Sequence, residues 1–94
     1  MKENFSNIEK KALRKKAHSL KPVVMIGQHG LTDAVLAEID VALNAHELIK
    51  VRIRGVDKNE RTEQCAQIEH QLNAEVLHQI GGITVLYRPE PVPS

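Results

Sequence analysis

Pro22-Val23-Val24-Met25-Ile26-Gly27-Gln28-His29-Gly30-Leu31-Thr32-Asp33 is the stretch on which the fold turns: an apolar run, a two-glycine turn and a helix start. The unbroken run from Val23 to Ile26 suits a strand covered on both faces. Gly27 and Gly30 permit positive φ and the close approach of another molecule. Thr32 is a good N-cap, and Leu31 with Leu36 can form a hydrophobic staple that sets the helix entry angle. Such a turn presents backbone N–H groups at a helix N-terminus, where anions such as phosphate are favoured. Taken alone, G-x-x-G spacing is common, and most examples are plain strand-to-helix turns.

Upstream, Ser6-Asn7-Ile8-Glu9 has the capping-box pattern, so a first helix is expected from Asn7 to Ser19 or Leu20, stopped by Pro22. Leu13, Ala17 and Leu20 fall on one side of it, with Ala12 and Ile8 trailing. Lys10, Lys11, Arg14, Lys15 and His18 occupy the other side, Lys21 follows, and Glu9 and Lys16 interrupt the apolar arc. Helix lysines are usually just solvated. Five cations without an intervening acid, beside a glycine turn, favour nucleic acid over that plain reading.

Downstream, Val35, Leu36, Ile39, Ala42 and Leu43 form a stripe that predicts a helix from Asp33 to about Ala45, with Glu38, Asp40 and Asn44 outside it. Leu48 to Arg54 alternates with period two. Ile49, Val51 and Ile53 should meet the helices, leaving Lys50, Arg52 and Arg54 as a second basic row. After the Gly55-Val56 turn, Asp57-Lys58-Asn59-Glu60 is another capping pattern. It opens a third helix to about Asn73 that buries Cys65, Ile68 and Leu72, with Ala66 beside them. Residues 75–80 and 83–88 flank Gly81-Gly82 as a hairpin, and Pro89, Pro91 and Pro93 mark an extended tail over 89–94.

The 94 residues make one expected domain, with its core over about 6–90. Phe5 and Tyr87 are the only aromatics, which argues against an aromatic platform for stacked bases. A single cysteine, Cys65, excludes an internal disulfide and fits a reducing compartment. No apolar run approaches the roughly 20 residues of a membrane span. Lys2, Glu3 and Asn4 do not begin a signal-type run, so a cytoplasmic protein is expected. Net charge is only +1, but residues 1–30 hold seven Lys/Arg against two Glu, a balance of +5. Residues 31–94 hold six Lys/Arg against ten Asp/Glu, a balance of −4. One basic face directed at a polyanion follows.

The element order is helix followed by β-α-β-α-β-β. It predicts an α/β fold: a small mixed four-stranded sheet packed against helices, with strands one and two parallel and three and four an antiparallel hairpin. Leu20-Lys21-Pro22-Val23-Val24, the Gly27–Gly30 loop with Leu31-Thr32, His46-Glu47-Leu48-Ile49-Lys50-Val51-Arg52 and Gly82-Ile83-Thr84-Val85-Leu86-Tyr87-Arg88-Pro89 occur in the order and spacing of one family. The chain resembles the CRM domain, in its stand-alone bacterial (YhbY) form. That resemblance implies a fold similar to the C-terminal domain of translation initiation factor 3. It also implies RNA binding on precursors of the large ribosomal subunit, with the glycine loop as a contact element. Many relatives carry basic residues between the glycines; Gln28 and His29 stand there in this chain, which shifts the expected charge contribution to backbone N–H groups and neighbouring lysines.

The RNA-binding set expected from these readings is Lys10, Lys11, Arg14, Lys15, His18, Lys21, Gly27, Gln28, His29, Gly30, Thr32, Lys50, Arg52 and Arg54. The partner is RNA, ribosomal in kind, with ribosomal proteins as further neighbours and no membrane. A monomer is expected. No cofactor, metal or catalytic residue is expected. His18, His29, His46, His70 and His78 fall on separate elements without zinc-type spacing, and Cys65 lies on a core stripe, which disfavours a small hydrolase. A protein-docking module that uses the acidic second helix is the other alternative.

Overall fold

In the computed structural model, which describes residues 7–89, the chain forms three helices and four strands. These are α1 (Asn7–Ala17), β1 (Pro22–Ile26), α2 (Asp33–His46), β2 (Leu48–Ile53), α3 (Lys58–Leu72), β3 (Glu75–Ile80) and β4 (Ile83–Tyr87). The strands make one mixed sheet in the order β1-β2-β4-β3. β1 and β2 run parallel, and the other two pairings are antiparallel. Ser6 of the first capping box and the proline tail beyond Pro89 lie outside the described residues.

The apolar periods explain both layers. Leu36, Ile39 and Leu43 of α2 and Cys65 and Ile68 of α3 pack on Val24, Ile26, Ile49, Val51, Ile53 and Leu86 of the sheet. Gln64 is buried beside them, while Ala66 is exposed and Leu72 packs only at the core's edge. On the other face, Leu13, Ala17 and Leu20 cover Leu48, Leu77 and Val85, with Tyr87 at their side. Helices therefore sit on both faces. α1 lies on the same side as Lys50 and Arg52, so the predicted basic row runs out from beneath a helix.

Two local readings are corrected. β1 is an edge strand that buries Val24 and Ile26 but leaves Val23 50% and Met25 53% exposed. Its apolar run does not mean double burial, because α1 reaches only part of that face. α1 ends at Ala17, and the next residues close in tight turns: Leu20 N–H donates to Ala17 O at 3.0 Å and Ser19 Oγ to Lys16 O at 3.1 Å.

The caps follow the sequence. Thr32 Oγ1 accepts from Val35 N–H at 3.2 Å, and Asp57 Oδ1 from Glu60 N–H at 2.9 Å. α2 runs one residue past Ala45 and is closed by Glu47 (φ 61°), whose N–H donates to Leu43 O. At the hairpin, the Ile53 N–H donates to Gly82 O at 2.7 Å. A Cβ on Gly82 would lie 2.6 Å from Ile53 O, so β2 and the hairpin meet only over a glycine.

Candidate nucleic-acid interface

The cations divide by where the elements carry them. Arg14 from α1, His18 just past its end, Lys50 from β2 and His78 from β3 line one shallow groove, floored by Ala17, Ile80, Ile83 and Val85. Lys16 and Lys21 line a second recess with Leu20, Val23, His46 and Leu48. Lys11 and Lys15 are exposed. Lys10 lies 3.7 Å from the Glu75 carboxylate, which links α1 to β3 and ties up part of its charge. Arg52 sits one row beyond Lys50 on the same face, directly paired with Met25 on β1 and Ile83 on β4.

Arg54 follows the end of β2. Its backbone N–H donates to Ile26 O at 2.9 Å, so it continues the β1–β2 junction as an exposed residue, and the basic row within the strand is Lys50 and Arg52 alone.

The glycine turn is more closed than a bare G-x-x-G suggests. Gly30 N–H donates to Gly27 O at 3.0 Å and Thr32 N–H to Gly30 O at 3.1 Å. Those two donors, and the Thr32 hydroxyl, are committed to the turn and cap. Only Gly30 takes positive φ (74°); Gly27 does not, and a Cβ there would meet nothing within 4 Å. Gln28 and His29 are exposed, with the Gln28 backbone close to Gly55. The remaining unbonded donors of the helix start belong to the first turn of α2, which also carries the Asp33 carboxylate. α1's end and the glycine turn lie at opposite ends of β1, roughly 15 Å apart at about 3.3 Å per residue. The structure does not bring them together. The open rows of the sheet lie between them.

Three residues of this surface escape the sequence reading. Lys16 reads as an interruption of the apolar arc, yet it lines a recess beside Lys21. His78 is displaced by the register shift between Val76 and His78, which hides it from simple alternation. Ile80 falls in the expected hairpin with no role assigned to it, and it is 66% exposed.

Elsewhere, polar groups serve the fold. Arg88 donates to Asp40 Oδ1 at 2.8 Å, Asn44 Oδ1 at 2.8 Å and Leu72 O at 2.9 Å, so part of α2's acidic surface is already engaged. Cys65 Sγ lies 3.4 Å from Thr84 Oγ1, and burial pushes its pKa up, the opposite of what a nucleophile needs. Among the described residues, no three His, Cys, Asp or Glu side chains gather as a metal-holding group. No helix among them is long and apolar enough to cross a membrane.

Together, fold and site define a class: a small α/β protein with a mixed sheet whose α1-bearing face is half open and gathers cations. The chain belongs to the CRS1/YhbY (CRM) domain family, whose model matches residues 5–88. It is 48% identical over 85 residues to an RNA-binding protein of Haemophilus influenzae, an alignment that covers 90% of this chain and 86% of that one. A Pseudomonas aeruginosa protein named "Probable RNA-binding protein PA4753" is 36% identical over 86 residues, with 92% and 83% covered. The solution structure of a Staphylococcus aureus protein, described as a candidate RNA-binding protein, matches with a TM-score of 0.81 at 26% identity. That match covers 97% of this chain and 95% of the other.

Proposed function

We propose that this chain is a cytoplasmic, monomeric RNA-binding protein without catalytic activity that acts in ribosome assembly, on precursors of the large subunit. The observation that carries the reading is the convergence of Arg14, His18, Lys50 and His78 on one groove of a chain whose N-terminal third holds the positive charge. Bacterial members of the family that carry RNA-binding names support the choice of polyanion. Arg14, Lys21, Lys50 and Arg52 hold phosphates, and the exposed Lys11 and Lys15 add longer-range attraction. The open side of Gly27, with Gln28 and His29, lets the RNA backbone approach the start of α2. Assignment to the large-subunit precursor rests on the family resemblance of the four sequence motifs.

The test is to fractionate a lysate of the cells that make the protein on a density gradient at low salt and probe each fraction for the chain. It should travel with particles that contain large-subunit precursor RNA and leave them as salt rises. Recovery only in the free pool at low salt would overturn the ribosomal assignment.

A further inference from the structure

Beyond α1's edge, the sheet face carries apolar side chains that no helix covers. The pairings Met25↔Arg52, Arg52↔Ile83 and Ile83↔Ile80 place these four residues in one row across all four strands. At about 4.8 Å between strands the row is roughly 14 Å long. Its two ends are the most open: Met25 is 53% and Ile80 66% exposed. The next row is Pro22, Lys50, Val85 and His78. Neither row contains a carboxylate; Glu75 lies one row further, opposite Tyr87, near Lys10.

An uncovered stripe of aliphatic side chains, flanked by cations on one side and a glycine turn on the other, is costly to leave in water. We propose that this stripe seats unpaired nucleobases, so that the protein takes single-stranded or looped-out RNA in preference to duplex. The proposal rests on the RNA-binding reading and deepens it. Phosphates alone would be served by the cations. Met25, Ile80 and Ile83 gain nothing from phosphates, and nothing from a duplex, whose base faces are stacked away and whose groove edges and backbone are polar. Splayed bases supply the flat apolar surface that such a row can cover. The Arg52 guanidinium, set between Met25 and Ile83, can stack on a base and meet its phosphate at once. This is a way of holding bases without an aromatic platform: among the described residues the one aromatic of this face, Tyr87, is packed against the α1 cluster.

The test compares an unpaired RNA oligonucleotide with the same strand annealed to its complement, by fluorescence anisotropy on the full chain. The variant is Met25→Thr with Ile80→Thr, both exposed and both changed to a good strand former. Val41→Thr, also exposed but on α2, is the control. The double variant should bind the unpaired strand about five- to tenfold more weakly and the duplex within about twofold of wild type, with the salt slope and melting temperature preserved. Val41→Thr should match wild type on both. Equal losses on both forms of RNA, or no loss on the unpaired strand, overturn the proposal. So does sedimentation that shows a wild-type dimer made monomeric by the double variant, since a second copy would then cover the row. A wild-type protein that binds neither RNA form instead defeats the RNA-binding reading itself.

Discussion

Gly27 and Gly30 stand three positions apart and answer to different constraints. Gly30 has φ +74°, and a Cβ there would sit 3.5 Å from the buried Gln64 amide nitrogen. Its glycine is required by the backbone itself. Gly27 has neither positive φ nor a neighbour within 4 Å of its virtual Cβ, so the isolated protein has no need of a glycine there. The approach of an RNA backbone proposed above would supply such a need. Gly30→Ala should therefore lower stability by about 1 kcal/mol or more through strain at positive φ. Gly27→Ala should melt no lower than wild type yet bind RNA several-fold more weakly, which melting curves and binding isotherms on the two variants will separate. Unchanged RNA affinity in Gly27→Ala would remove the close approach from the account.

Between elements, Arg88 is the main polar tie. Its guanidinium reaches Asp40 and Asn44 on α2 and the Leu72 carbonyl at the end of α3, where helix carbonyls lack an internal partner. Its own N–H donates to Glu47 O at 2.9 Å. Replacement by Ala should cost about 2–3 kcal/mol in chemical denaturation. Replacement by Lys should recover only part of that, because an ammonium cannot fork to several acceptors. RNA affinity well below the melting temperature should be unaffected in both, since Arg88 lies on the α2–α3 side.

The elements themselves were largely readable. Caps at Thr32 and Asp57, the α2 stripe, the alternation of β2 and the Gly81-Gly82 hairpin each carry a local signal, and each lies where that signal puts it. What local pattern does not carry is strand order. Val23 and Met25 belong to an apolar run that looks doubly buried, and only the position of β1 at the sheet's edge, past the reach of α1, leaves them open. The candidate site was readable to the same depth. Lys50 and Arg52 follow from period two, but the meeting of Lys50 with Arg14 and His18 depends on which face α1 chooses. The shift at Leu77 that turns His78 toward them leaves no mark in the spacing.

For the whole molecule, charge and topology act together. A chain of net charge +1 is not a strong polyanion binder by composition. The fold compensates by setting the cations of α1 and of the open β2 row on one side, while Asp40 is held by Arg88 on the other. The central claim is that RNA is held on that α1-bearing face by Arg14, Lys21, Lys50 and Arg52. Its most direct test is the dependence of RNA affinity on salt, measured for wild type and for Arg14→Gln combined with Lys50→Gln. Four phosphate contacts predict a slope of log affinity against log salt of roughly −3, at about 0.7–0.9 per contact. The double variant should reduce it to roughly −1.5, with weaker binding and an unchanged melt. A slope and affinity equal to wild type in that variant would place the RNA elsewhere and contradict the account.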